Sequence, residues 1–151
     1  LPTEVLLSSI HQTIEHHGVR YAEIIRAGAE ARSSVFFSPP ESSFQFGMIA
    51  HDAGFYESAH FHKPVRREVL DCQQLLVVQR GAVLIEFYAE DGGCVEEVTL
   101  RTGDAMVLIH GIHALKVVED MQCISVKQGP FLGAENDKVP VEVGGRRDSG
   151  L

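Results

Sequence analysis

The chain has no tryptophan, and its aromatic residues make up only 7%. Its three cysteines, Cys72, Cys94 and Cys123, are widely spaced and form no Cys-x-x-Cys pair. An odd count without that spacing indicates neither a disulfide framework nor a zinc ribbon. Free thiols in a reducing cytoplasm are the expectation. No apolar run approaches the roughly 20 residues of a membrane-spanning helix. The opening stretch, LPTEVLLSSI, lacks the basic region and long apolar segment of a secretory leader, so none is expected. Positive charge is also short: the formal net charge is −8. That argues against nucleic acid and anionic membranes as partners, which need clustered Lys and Arg. A local pocket can still take a small anion.

What is present fits one globular domain of 151 residues. The reading divides it into a helical extension over 1–30, a barrel over 31–130 and a polar, Gly-rich arm over 131–151. Over residues 3–17, Thr3 is placed to cap a helix, Gly18 to stop it, and Val5, Leu6, Ile10 and Ile14 recur at helical spacing. This predicts a short N-terminal helix, with His11, His16 and His17 on its solvated side or end. After residue 30 the pattern changes to short apolar or alternating runs: SVFFS, SFQFGMIAH, QLLVVQRG, AVLIEFYAE, CVEEVTL, DAMVLIHG, ALKVVED and QCISVKQ. Turn formers such as SPPESS, EDGG and RTGD separate them. The expectation is an all-β sandwich, barrel or jelly roll, with a hairpin turn at Gly81.

Eight histidines are the conspicuous feature of the composition. His60 and His62 stand two apart, so on an extended segment both project to one face. Two imidazoles side by side suit a divalent metal. Chance pairs are also common in a His-rich chain. His113 stands in register with Leu115 and Val117, which turns it inward, where an imidazole needs a partner. His110, in the turn before it, is an alternative ligand or an acid/base group. Lys63, Arg66 and Arg67 form a basic loop suited to phosphate or carboxylate, or simply a solvated run. Cys72, Cys123 and the phenylalanines from Phe36 to Phe61 read as core or near-core filling.

With these residues the chain resembles a small single-domain cupin, over roughly residues 44–128. Gly54 stands six before His60 as the family's leading glycine does, His60-x-His62 matches the paired histidines, and Gly81 matches the closing glycine. Gln74 stands where the family has its glutamate ligand. Gly103-Asp104, Gly111 and His113 match the second motif. The resemblance implies a double-stranded β-helix, or jelly-roll barrel, most often homodimeric, with one divalent transition metal (Fe, Mn, Ni or Zn) held by His60, His62, Gln74 and His113 in the barrel mouth. Three departures stand out. The insert KPVRREVLDCQ is long, Gln replaces Glu unless Glu68 from the insert takes that role, and in the second motif Ile109 stands in the proline's place with His113 two rather than three residues after Gly111.

Three functions follow as expectations. The first is a metal-dependent isomerase, lyase or dioxygenase acting on a small oxygenated, anionic or sugar-like metabolite, with His110 and Glu68 as candidate catalytic groups. The second is a metal-free enzyme similar to the bacterial nucleotide-sugar 3,4-ketoisomerases, although their Arg-Gly before the first histidine is absent here, as is their tryptophan. The third is a non-catalytic cup for a small ligand.

Overall fold

The structure is a computed structural model and describes residues 11–144. Eight strands and one short helix follow in order: β1 (His11–His16), β2 (Val19–Ile25), β3 (Val35–Phe36), β4 (Gly47–Met48), β5 (Gln74–Tyr88), β6 (Cys94–Arg101), β7 (Ala105–Leu108), β8 (Ile112–Lys127) and α1 (Ala134–Asp137). The chain is therefore all-β, as its alternation predicts. Six strands form one antiparallel sheet in the order β1-β2-β7-β5-β6, with β8 along β5; β3 and β4 form a separate pair.

The N-terminal expectation needs correction. Residues 11–16 are not helical; they form β1, paired with β2 from His11↔Ile25 to His16↔Val19. Residues 3–10 of the expected helix lie outside the described residues. The reason is the two-residue link His17-Gly18, with φ of 49° and 75°. Two successive positive-φ residues make the turn whose twist matches a hairpin. Ile14 then packs in the core at 4% exposure, beside a β2 rich in β-branched residues.

A second correction concerns Gly81. It is not a hairpin turn: β5 runs through it for 15 residues. Gly81 has φ 77°, and an added Cβ would stand 2.2 Å from the Asp120 carbonyl oxygen, so only glycine fits the corner. The β5–β8 register slips repeatedly between Val78 and Val83. Such bulges bend a strand and shift its alternation by one. The packing records that shift: Leu76 and Val78 face the core before the corner, Val83, Ile85 and Phe87 after it. Likewise ALKVVED and QCISVKQ are one strand, the 16-residue β8, which follows β5 around the bend.

The curl can be bounded from the pairing. A straight strand of this length would span about 48 Å. But β7 pairs with the first residues of β5 (Gln74↔Leu108), and β8 pairs with its last (Tyr88↔Ile112). Only Ile109, His110 and Gly111 join Leu108 to Ile112. Four residue steps reach at most about 14 Å. The two ends of β5 must therefore curve toward each other, and the sheet becomes a half-barrel. Its core is a cluster from Ile14, Ala22 and Ile24 through Leu76 and Val78 to Phe87, Leu100 and Met106.

The tight turns behave as their sequences indicate. Residues 89–93 close β5 onto β6 through Ala89 N–H to Gly93 O at 2.9 Å. The RTGD turn is held by Asp104, which accepts from the Arg101 and Ala27 amides and from Arg26 Nη1 at 2.9, 2.9 and 3.0 Å. Replacing Gly81 with alanine removes both the left-handed freedom and the space at the corner. We expect Gly81→Ala to lower stability by more than about 2 kcal/mol in urea unfolding, with loss of the β5–β8 amide protection in hydrogen exchange. Wild-type stability in that variant would refute the corner as the origin of the curl.

Candidate functional site

The curl creates a mouth where the two ends of β5 approach. A pocket of about 160 Å³ opens there, lined by Asp71, Cys72, Leu108, Ile109, His110, Gly111 and His113. Two of its sides follow directly from the local sequence. On the β7–β8 side, Gly111 takes φ 86°. The amides of Ile109 and His110 donate to the Tyr21 carbonyl at 2.9 and 3.3 Å. The tyrosine ring meets the imidazole of His110 edge-on at 6.3 Å. A side chain at position 111 would collide with that ring, at 2.2 Å from its Cε1, so the turn fits only around glycine. On the other side, Gln73 N–H donates to Gln128 Oε1 at 2.8 Å and pins the run into β5 against the end of β8. The Cys72 thiol points at the Gln128 carbonyl, 3.9 Å away.

His113 pairs with Phe87 in the ladder, with Leu115 and Val117 opposite Ile85 and Val83. It therefore stands on the concave face of the sheet. Its Nδ1 donates to the Gly111 carbonyl at 3.3 Å. A carbonyl can only accept, so this bond puts the proton on Nδ1 and leaves the Nε2 lone pair for a ligand. Gln74 lies on the concave face too, sharing it with Leu76 and Val78. Its amide nitrogen donates to Ser125 Oγ at 2.8 Å.

His60 and His62 are not at this pocket. They stand on residues 51–72, an exposed stretch without strand structure that joins β4 to β5. The two rings lie edge-on, 5.3 Å apart. His60 Nδ1 bonds the Ser58 carbonyl at 2.9 Å, so it too carries its proton on Nδ1. Its Nε2 is 3.7 Å from Glu57 Oε1. Glu68, Lys63, Arg66 and Arg67 lie on the same exposed stretch. Among the described residues, no three of His, Cys, Asp and Glu stand close enough together to hold a metal. The expected ligands are thus split between the loop pair, the pocket wall and the sheet.

Other expectations shift as well. Cys72 is exposed at the mouth rather than buried, whereas Cys123 packs on the core, where burial pushes its thiol pKa up. Phe36, Phe55 and Phe61 are exposed, at 53%, 56% and 81%, and do not fill the core. His51 stacks on Phe55 at 3.8 Å.

A polar cluster that sequence reasoning missed lies on the convex face. Glu23 is fully buried. Arg20 donates to its Oε1 and Ser38 Oγ to its Oε2, the latter at 3.0 Å. His11 stacks flat on Phe37 at 4.1 Å, with its Nε2 4.0 Å from Glu23 Oε1. The signal was one acidic residue inside the apolar run YAEII.

Compared with known proteins, the chain matches no family model, no curated protein and no solved structure. No helix among the described residues is long and apolar enough to cross a membrane.

Burial lowers the His11 pKa below its ordinary value of 6.5; Glu23 opposes this and Arg20 adds to it. The folded state therefore prefers the neutral ring. Its contribution to stability is complete above pH 6.5 and is lost as pH falls through the lowered folded value. His11→Phe keeps the stack on Phe37 but cannot take a proton. We expect wild type to lose stability more steeply than His11→Phe from pH 6.5 downward, read by urea unfolding across a pH series. Parallel curves would show that folding does not shift the His11 pKa.

Proposed function

We propose that this protein is a cupin-type binding cup that takes a small anionic or oxygenated metabolite at the mouth beside His110 and His113. One observation carries the reading: the curl of β5 gathers two imidazoles into a concave, partly polar pocket. A carboxylate or phosphate oxygen suits imidazolium there, and a hydroxyl suits the neutral ring. The pocket volume of about 160 Å³ fits a small acid or one end of a sugar phosphate.

A second reading is a metal-dependent enzyme of the same cupin type, holding a divalent transition metal with His60, His62, Gln74 and His113. It is supported by the adjacency of His60 and His62 and by the shared tautomer of His60 and His113, each with Nδ1–H bound to a carbonyl. Metal-binding histidines are commonly oriented in this way. The donors do not fit a metal as they stand, because the pair and His113 are apart. The reading requires residues 51–72 to fold back along β8, whose outer edge is unpaired among the described residues. A metal there would act as a Lewis acid on a substrate oxygen. On this reading His110 and Glu68 remain the candidate catalytic groups, and a homodimer remains the proposed assembly.

Two measurements separate the readings. The first is elemental analysis of protein purified without an affinity tag, beside His62→Ala and His113→Ala. The second is an NMR titration with malonate and with inorganic phosphate. The cup reading expects saturable shifts at His110 and His113 that disappear in His113→Ala, without stoichiometric metal. The metal reading expects about one equivalent of a transition metal, lost in both variants. No metal and no saturable shift would remove both.

A further inference from the structure

The curl that brings the two ends of β5 together also brings in the far end of β8. Lys127 pairs with Gln74, and Gln74 pairs on its other edge with Leu108, so the three form one row on the concave face. Strands lie about 4.8 Å apart, which puts the Lys127 backbone about 10 Å from that of Leu108. Leu108 lines the mouth, as does Cys72, whose thiol points at the carbonyl of Gln128, the next residue after Lys127. A lysine stem is long and flexible enough to carry its ammonium into that gap. In the structure the ammonium is already engaged: its Nζ donates to Asp137 Oδ2 at 2.6 Å and lies 5.2 Å from the centre of the Phe131 ring. The Asp137 carboxylate raises the Lys127 pKa above its ordinary 10.5, partial burial opposes the rise, and the Cys72 thiol adds to it. The ammonium is thus within electrostatic reach of the mouth wall.

Asp137 reaches Lys127 from α1, and little else holds α1 in place. The helix buries no residue, and Phe131, Leu132 and Val139 around it are exposed. Its own bonds are local: the Asn136 amide donates to the Gly133 carbonyl and the Lys138 amide to that of Ala134. Among the described residues, two hydrogen bonds tie 129–144 to the rest of the chain: the one at Lys127, and one of 3.4 Å from Gly144 N–H to the Gly92 carbonyl. A segment with few buried apolar contacts opens at little cost. On the cup reading, on which this rests, we propose that Lys127 is a third binding group of the mouth, and that Asp137 stands in for the ligand's second charge until a ligand arrives. The ligand class narrows accordingly, from any small anion to one with two anionic groups a few carbons apart, such as a short dicarboxylate. One carboxylate meets His110 and His113; the other displaces Asp137 from Lys127 and frees α1. The exchange replaces one charge-assisted N–H to carboxylate bond with another of the same kind. A monoanion has no second group to offer and leaves the ion pair closed.

The test is an NMR titration of the full chain with malonate, succinate and acetate, followed at the His110 and His113 rings and at the Asn136 and Lys138 amides. Wild type should bind at least one of the dicarboxylates at the histidines more tightly than acetate, and its saturation should strip the Lys138 amide of exchange protection. Asp137→Asn keeps the size of the side chain but not its charge; freeing the ammonium should tighten dicarboxylate binding about fivefold. Lys127→Met should weaken it at least about tenfold and level it with acetate. The two variants move in opposite directions, so a general loss of structure cannot imitate both. Saturable binding at His110 and His113 that is unchanged in both variants, or equally tight for acetate, would overturn the proposal and leave the cup standing. Weaker dicarboxylate binding in Asp137→Asn would make Asp137 a structural tie and overturn it too. No binding at the histidines in wild type or in Asp137→Asn would remove the cup and the proposal together.

Discussion

The architecture hangs on the corner at Gly81. The short links between β6, β7 and β8 close only if the 15-residue β5 turns without ending, and the left-handed glycine lets it do so. Before the corner, β5 carries β7 on one edge; after it, β6; and β8 follows the other edge throughout. The same corner resets the alternation, so that both halves of the strand bury side chains in one core. With a straight β5, the links from β6 to β7 and from β7 to β8 would be too short to close. The mouth with His110 and His113 is then a geometric result of the curl rather than a separately built feature.

Around that corner the polar groups divide into two kinds. Asp104 and Glu23 are buried carboxylates whose oxygens are occupied by guanidinium, hydroxyl or backbone donors. Such groups are costly to bury without partners, and here each ties two separate parts of the chain together. Asp104 ties the β6–β7 turn to the end of β2, and Glu23 ties Ser38, just after β3, to β2. The histidines at the mouth are of the other kind. They are exposed and lightly hydrogen-bonded.

How much of this was legible depends on the range over which each feature is decided. The turns EDGG, RTGD and His110-Gly111 could be read because glycine with positive φ is a local requirement. His113 does share a face with Leu115 and Val117, because alternation is local too, but all three are exposed rather than turned into a core, since what covers a strand is decided at long range. Gly81 misled, because a glycine closing an apolar run is also what a hairpin looks like. Only the change of phase from Leu76 and Val78 to Val83 and Ile85 signals one continuing strand. The N-terminal segment misled because Ile10 and Ile14 fit helical spacing, while the tertiary partner YAEII and the His17-Gly18 turn favoured a hairpin. Asp71 and Cys72 at the mouth were not legible at all: the curl brings them to His110, and no spacing along the chain encodes that.

The pairing of β2 with β7 has a kinetic consequence. Ala22 meets Leu108, 86 positions further on (108 − 22), whereas β5, β6, β7 and β8 succeed one another through short links. Ordering a loop that long costs entropy before any contact forms, and folding rates fall as such separations grow. The meander from β5 to β8 can assemble from neighbours alone. The β1–β2 hairpin must wait for β7 to offer its free edge. Nascent chain emerging in order thus presents the hairpin well before its docking partner, with the apolar side of β2 uncovered in between.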